Sequence, residues 1–541
     1  MRILTKCENR KILHIFLIVL FSYLFLLHGI WSYSLKEPDE GRYAEIPREM
    51  LELGEYLVPH LNYLRYFEKP PLFYWVVAFS YKLFGVTEFS FRLPNAIFAL
   101  LSVLSTYFFS VRLFDEKVAL YSSLILLSSF GFFSMSRIVT LDMAFSTLLI
   151  MSLFSFGLYY GERKRKYLWL FYVFLGAATL AKGFASFVLL GITILIFLLS
   201  ERNIGFLKGM EIKKGLTLCG LIVAPYFTYM SIKEEGFFYF FFIDQHILRY
   251  LTEKHRRAGP VYYFFPVLFG GMFPYSVIIP RTIYRLWSKK EARLLIVWTF
   301  SVFLFFSLSG SKLPPYILPI FPTLSVLIAT FISQEGKKEF PYEKYAYAFL
   351  FVSIVFLLHM IHIILPQEET LKDILSRFRT FTSLVTIFFF FISLYLVVKK
   401  LTLERIFLTL LFSSIFIMLL ILSSLKELDE IRTQKPIALR ILSERKGDEL
   451  VINYGAFDET LLFYLRSKII IASYMGELEF GLRGAKWQAY MDEKKFVETF
   501  NSHKKVFCVA NIKRMDHMVK NLKLRPNFIM CTRERCLVKN F

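Results

Sequence analysis

Ile12-Leu-His-Ile-Phe-Leu-Ile-Val-Leu-Phe-Ser-Tyr-Leu-Phe-Leu-Leu-His-Gly-Ile-Trp-Ser-Tyr-Ser34 contains no Asp, Glu, Lys or Arg. An apolar run of roughly 20 residues can cross a bilayer as a helix, which satisfies its own backbone there. The run follows a short basic segment with Arg2, Lys6, Arg10 and Lys11. That layout resembles a signal peptide. The run is too long for one, and no small-residue cleavage site follows, so it reads as an anchor. Twelve further runs share its character: 90–112, 117–136, 139–160, 167–182, 183–200, 213–233, 261–284, 292–309, 314–333, 345–366, 380–398 and 404–424. The fold class expected is therefore an α-helical polytopic membrane protein of about 13 spans.

The composition agrees. Of 541 residues, 56% are apolar, 20% are charged and 62 are Phe. A soluble chain of this length needs more polar surface, and a disordered one far fewer apolar residues. In a soluble protein, a net charge of +22 would point to nucleic acid. In a membrane protein, Lys and Arg in cytoplasmic loops account for much of it, and no nucleic-acid partner is expected.

The positive-inside rule orients the chain. With the N-terminus cytoplasmic, the short basic loops Gly161–Lys166, Ser288–Arg293, Lys337-Lys338 and Lys399-Lys400 fall inside. Loops 35–89, 234–260 and 309–313 then fall outside. An odd helix count sends 425–541 outside as well. Strand-like runs at Leu450–Tyr454, Lys468–Ala472, Val506–Ala510 and Phe528–Cys531 alternate there with helix-like stretches. This predicts a small α/β domain. The organisation expected is a membrane domain over 1–424, with its informative loop at 35–89, and an extracytoplasmic domain over 425–541. Of the five cysteines, Cys508, Cys531 and Cys536 lie in that last stretch, and two of them could pair outside the cytosol.

The outward loops hold the chemistry. The first begins Glu37-Pro-Asp39-Glu-Gly-Arg-Tyr43 and continues to Tyr66-Phe-Glu68-Lys69-Pro-Pro71. A polar cap on the first helix would need fewer charges. Two prolines after Glu68-Lys69 make a rigid turn that fixes the direction of two opposite charges. Asp142 sits just inside an apolar run, where a charge is costly and calls for a role. The loop 234–260 carries Asp244-Gln-His246, Arg249-Tyr250 and Lys254-His255-Arg256-Arg257. Lys312 and Tyr316 open the run at 314–333. Cations on the outer face violate the orientation statistics. An anionic lipid headgroup would explain them, since Lys and Arg pair strongly with phosphate. No GxxxxGK[ST] or GxGxxG motif is present, so nucleotide-driven chemistry is not expected.

Glu37-Pro-Asp-Glu-Gly-Arg-Tyr-Ala-Glu-Ile-Pro-Arg-Glu-Met50, Tyr66–Pro71, Phe91-Arg-Leu-Pro94, His246-x-x-Arg249-Tyr250 and Lys312-Leu-Pro-Pro-Tyr-Ile-Leu-Pro319 resemble the bacterial aminoarabinose transferase family. That family is part of the integral-membrane C-type glycosyltransferases (GT-C fold), related to the protein O-mannosyltransferases. Gly41 and the doubled Pro70-Pro71 depart from its pattern. The resemblance implies transfer of 4-amino-4-deoxy-L-arabinose from undecaprenyl phosphate to lipid A on the outer face of the inner membrane. It implies Asp39 and Asp142 as the central carboxylates. Tyr66, Lys69, Arg249, Lys312 and Tyr316 would bind the lipid phosphate or line the site. Glu68 with His246 or His255 would hold a divalent metal, zinc by analogy. The expected partners are the polyprenyl phosphate-linked sugar, lipid A or another glycolipid or protein acceptor, and membrane lipids. A rival within enzymes is transfer of another sugar, or transfer to protein or lipopolysaccharide core. A rival of another class is a lipid or solute transporter, which would show half-chain repeats and helices broken at mid-membrane.

Overall fold

The computed structural model describes residues 2–248, 259–364, 379–425, 429, 432–447, 449–485 and 487–541. By contact, the chain forms two compact units: 1–29 with 95–424, and 30–94 with 425–541. The loop 35–89 therefore folds with the C-terminal segment. The cut at 424 expected from the sequence follows chain order, and the contacts follow a different division.

The first unit is helical. Among the described residues, eight helices are long and apolar enough to cross a membrane, from Glu88–Leu113 to Leu403–Ser423. Two helix pairs are bent spans. Glu116–Ser128 and Phe130–Arg137 meet at 62°, and Val261–Gly271 and Tyr275–Leu286 at 117°. Three further expected runs appear as Lys11–Leu27, Arg165–Lys182 and Ala185–Ser200. The straight helix expected over 261–284 is thus corrected to a broken one. Pro274 explains the break, because it lacks the amide hydrogen a helix needs and restricts the residue before it. The 117–136 run bends at Ser129, which is extended (φ −77°, ψ 131°).

Caps set the helix starts in this unit. The Asp115 side chain accepts from the Val118 amide at 2.8 Å. Thr140 accepts from the Asp142 amide at 3.3 Å, so Asp142 opens the helix Leu141–Glu162. Burial is dense between helices. Phe109 stacks on Phe154 at 4.0 Å, and the Trp298 indole donates to the Pro319 carbonyl at 2.9 Å.

The second unit is an α/β structure. Its larger sheet has strands β3 (Leu450–Tyr454), β4 (Ile470–Ala472), β5 (Tyr490–Met491), β6 (Val506–Ala510), β7 (Asn527–Cys531) and β8 (Cys536–Lys539). A small hairpin, β1 (His60–Leu61) and β2 (Leu64–Arg65), precedes them. The order is β5-β4-β3-β6-β8-β7, parallel from β5 to β6 and antiparallel at β8 and β7. Ile452 faces Cys508 across the β3–β6 ladder, and the face beneath buries Tyr454, Phe496, Met515 and Met518. Continuous apolar strands suit a parallel sheet covered on its faces. Cys531 and Cys536 form a disulfide that joins β7 to β8, and Cys508 is buried and free.

The loop residues that join this sheet are held by polar contacts. The Glu37 carboxylate accepts from the amides of Glu459 and Thr460 at 3.1 and 2.7 Å, at the start of the helix Glu459–Leu465. A carboxyl there caps the amides that the first turn of the helix leaves without partners. A Cβ on Gly41 would lie 2.5 Å from the Thr460 nitrogen. Only glycine lets the helix Asp39–Leu53 approach that closely. The departure from the family pattern at Gly41 is thus a packing requirement. Asn62 and Ile469 exchange two hydrogen bonds at 2.8 and 3.0 Å.

Candidate active site

Asp39 is the first residue of the helix Asp39–Leu53, and its side chain is 47% exposed. Three residues on, Arg42 is buried to 6% exposure and lies on the same helix face. Arg42 Nη1 is 3.6 Å from Asp39 Oδ1 and 2.9 Å from Glu477 Oε2. Its Nη2 donates to Glu459 Oε1 at 3.2 Å. Tyr66 is almost fully buried and donates to Glu477 Oε2 at 3.4 Å. Lys69 Nζ donates to the main-chain carbonyl of Glu68 at 3.1 Å and lies 4.0 Å from Glu68 Oε2.

The electrostatics tie these groups together. Burial pushes the Tyr66 hydroxyl well above its ordinary range, with Glu68 next in size, Arg42 opposing and Glu477 adding. Tyr43, beside Arg42, is raised by burial and then by Asp39. Arg42 itself stays protonated, because its carboxylate and tyrosine neighbours outweigh the cost of burial. Of the residues expected from the sequence, Asp39 and Tyr66 are therefore gathered around Arg42, while Glu68, with Lys69 beside it, acts on Tyr66 and Tyr43. Sequence reasoning passed over Arg42 and Tyr43 within the quoted motif, and had no signal for Glu477.

The first motif is braced from behind. Arg92, 1% exposed, grips the Glu40 carboxylate with Nε and Nη2 at 3.0 and 2.7 Å. It also donates to the carbonyls of Ile30, Tyr33 and Ser34 at 2.7 to 2.9 Å, and its guanidinium lies 3.7 Å over the Tyr33 ring. This is what the Phe91-Arg-Leu-Pro94 motif does: it fixes the chain entering the helix that carries Asp39.

In the first unit, Asp142 pairs with Lys182. Lys182 Nζ also lies 4.6 Å over the Tyr316 ring and 5.6 Å over Phe145. Two expected residues, Asp142 and Tyr316, thus meet through one that was not expected. The available signal was a lysine closing an apolar run just before Gly183. Lys312 is buried and donates to the Ser309 carbonyl at 2.6 Å.

Arg249 and His255 lie outside the described residues, and of His246 only the backbone, within Tyr239–Leu248, is described. The described residues do not make a metal site by themselves: no group of three or more His, Cys, Asp and Glu could hold an ion. Glu68 is the one expected ligand whose side chain is described, and Lys69 neighbours it.

Comparison with known proteins finds the resemblance again. The family model described as dolichyl-phosphate-mannose-protein mannosyltransferase matches residues 68–229, and that of the aminoarabinose transferase C-terminal domain matches 437–540. The undecaprenyl phosphate-α-4-amino-4-deoxy-L-arabinose arabinosyl transferase of Pectobacterium carotovorum is 33% identical over 328 residues, covering 59% of this chain and 58% of that protein. Its counterpart from Yersinia enterocolitica is 31% identical over 333 residues, covering 60% of each. The aligned stretch is thus less than two thirds of either relative. In structure, ArnT from Cupriavidus metallidurans bound to undecaprenyl phosphate superposes with a TM-score of 0.84 at 24% identity, covering 98% of both chains. The oligosaccharyltransferase AglB of Archaeoglobus fulgidus superposes at 0.54 and 14% identity, over 94% of this chain and 70% of that one. The fold is that of the C-type glycosyltransferases.

Proposed function

We propose that this protein is a glycosyltransferase that moves 4-amino-4-deoxy-L-arabinose from undecaprenyl phosphate to lipid A at the outer face of the inner membrane. The observation that carries the reading is the half-open Asp39, set on a buried Arg42 that Tyr66 also neighbours, with Glu68 and its neighbour Lys69 next to Tyr66. The similarity to the arabinosyl transferases supports it.

In this reading, the bond between the sugar's anomeric carbon and a phosphate oxygen breaks. Negative charge then returns to the polyprenyl phosphate. Lys69, Lys312 and Arg249 are the cations assigned to it, and preorganised charge of this kind is often the largest catalytic contribution. A lipid A phosphate is already an anion and attacks without a base. Asp39 and Asp142 then orient the sugar and stabilise positive charge developing on its ring. With a hydroxyl acceptor, Asp39 would serve as general base. Glu68 with His246, His255 or both would hold a divalent ion, zinc by analogy, which would supply positive charge near the phosphate.

The reading also puts the N-terminus in the cytoplasm and 425–541 in the periplasm. The Cys531–Cys536 disulfide suits an oxidising compartment. The broken pair Val261–Leu286 is a feature a transporter would share, which keeps that reading as the second one. The test in cells is mass spectrometry of lipid A. Lipid A from cells with the gene should carry the added mass of one aminopentose, and lipid A from cells without it should not. Identical spectra would reject the proposal.

A further inference from the structure

The basic loops Lys337-Lys338 and Lys399-Lys400 are neighbours in the first unit. The Leu403 amide donates to the Lys338 carbonyl and the Glu404 amide to that of Gly336, both at 3.0 Å. Glu339 and Thr402 pair beside them as an antiparallel bridge. Lys344, 7% exposed, donates to the carbonyls of Val397 and Lys399 at 3.1 and 2.9 Å. These bonds fix the second loop. They also occupy carbonyls at the end of the helix Arg379–Val398 that would otherwise repel an anion.

Most carboxylates of this corner are already matched. Glu335 pairs with Lys338 at 2.5 Å, Glu404 with Lys117 at 2.9 Å and Glu343 with Arg281. Within 335–344 and 399–405, this leaves the exposed side chains of Lys337, Lys399, Lys400 and Arg405 against one further acid, Glu339. Arg405 also forms one end of a groove of about 520 Å³, lined by Ile392, Tyr395, Arg405, Leu408, Thr409 and Phe412. That is the size of a small-ligand site. Positions 405, 408, 409 and 412 share a face of the helix Leu403–Ser423, by three- and four-residue spacing. Phe412 lies two turns, about 10 Å, beyond Arg405 along the axis. Leu408 is 51% exposed and Phe412 57%, and the Thr409 hydroxyl is satisfied on its own helix by the Arg405 carbonyl at 2.9 Å. The groove is therefore cationic at the end by the loops and apolar beyond it.

We propose that this groove holds one anionic phospholipid, its phosphate on Arg405 and the two basic loops and an acyl chain along Leu408 and Phe412. Apolar walls alone would accept any lipid, and basic loops alone would attract any anion. A basic pocket between membrane helices selects a molecule that is both. The inference is independent of the transferase reading, and the orientation proposed above puts the site in the cytoplasmic leaflet. The experiment is native mass spectrometry of the full-length protein, titrated with phosphatidylglycerol or with phosphatidylcholine of the same acyl chains. The first phosphatidylglycerol should bind about tenfold more tightly, the scale of one hydrogen bond to a charged group. Arg405→Gln should remove that preference. Leu408→Trp, which fills the groove and keeps every charge, should weaken both lipids. Lys290→Gln, which takes a cation from another basic loop, should change neither. Each substituted side chain is exposed, so the core is left intact. Equal affinity of the unsubstituted protein for the two lipids would overturn the inference. So would equal losses in Arg405→Gln and Lys290→Gln, the sign of diffuse attraction, or binding that Leu408→Trp leaves unchanged.

Discussion

At the residue scale, the charges that the sequence made conspicuous and the residues that organise them are not the same. Asp39, Tyr66, Glu68 and Lys69 stand out because so many ionisable groups crowd one loop beside a membrane helix. Arg42, buried beside Asp39 and Tyr66, is what those two share, and burial is not written in composition. Lys182 was half-legible, as a cation where an apolar run breaks. Glu477 was illegible, because nothing local marks a residue that matters only through contact with a helix far away in the chain. Gly41 reads as a departure from a pattern until the backbone of Thr460 is placed against it. Gly41→Ala must push that backbone away, and overpacking a tight contact costs about 1–3 kcal/mol. Thermal unfolding of the purified variant should show a lower midpoint, and an unchanged midpoint would mean that the contact yields freely.

At the scale of elements, periodicity and apolar length recovered the helices, since lipid imposes both. They missed the breaks at Ser129 and Pro274, where a single residue's backbone overrides the hydropathy of its run. Strands β3, β4, β6 and β7 were foreseen from apolar, β-branched runs. The two-residue β5 and the closing β8 were not, because pairing with longer neighbours makes them strands. The junction between Glu37 and the helix Glu459–Leu465 is titratable. Burial, then Glu459 and Asp458, hold the Glu37 carboxyl well above its ordinary 4.5, against the pull of Thr460. The folded state therefore binds this proton more tightly than the unfolded chain does. Its contribution to stability is complete below pH 4.5 and is lost as pH rises through the folded-state value. Glu37→Gln keeps an acceptor for the two amides and cannot titrate. The fall in unfolding free energy above pH 5, measured by denaturant titration, should be shallower in this variant, by at most about 1.4 kcal/mol per pH unit. Parallel profiles for the two proteins would place the proton elsewhere.

At the scale of the whole molecule, hydropathy alone established the class. It assigned the membrane helices to one domain and the polar tail to another, reading in chain order. The contacts instead gather 30–94 with 425–541. The reason is physical: the first loop is too polar and too charged to pack among apolar helices, and its buried ions need the partners that the C-terminal segment supplies at Glu459 and Glu477. Conversely, the C-terminal segment supports the residues on which the proposed chemistry depends. The central claim is that this assembly breaks a bond between sugar and phosphate. The most direct measurement uses purified protein, undecaprenyl phosphate bearing 4-amino-4-deoxy-L-arabinose, and lipid A, with the acceptor weighed by mass spectrometry. The account predicts that lipid A gains one aminopentose, and that Asp39→Asn, while keeping its unfolding midpoint, loses at least about 100-fold in rate, as expected for a carboxylate acting in the transition state. Full transfer by Asp39→Asn, or movement of intact donor across the bilayer without cleavage, would contradict it.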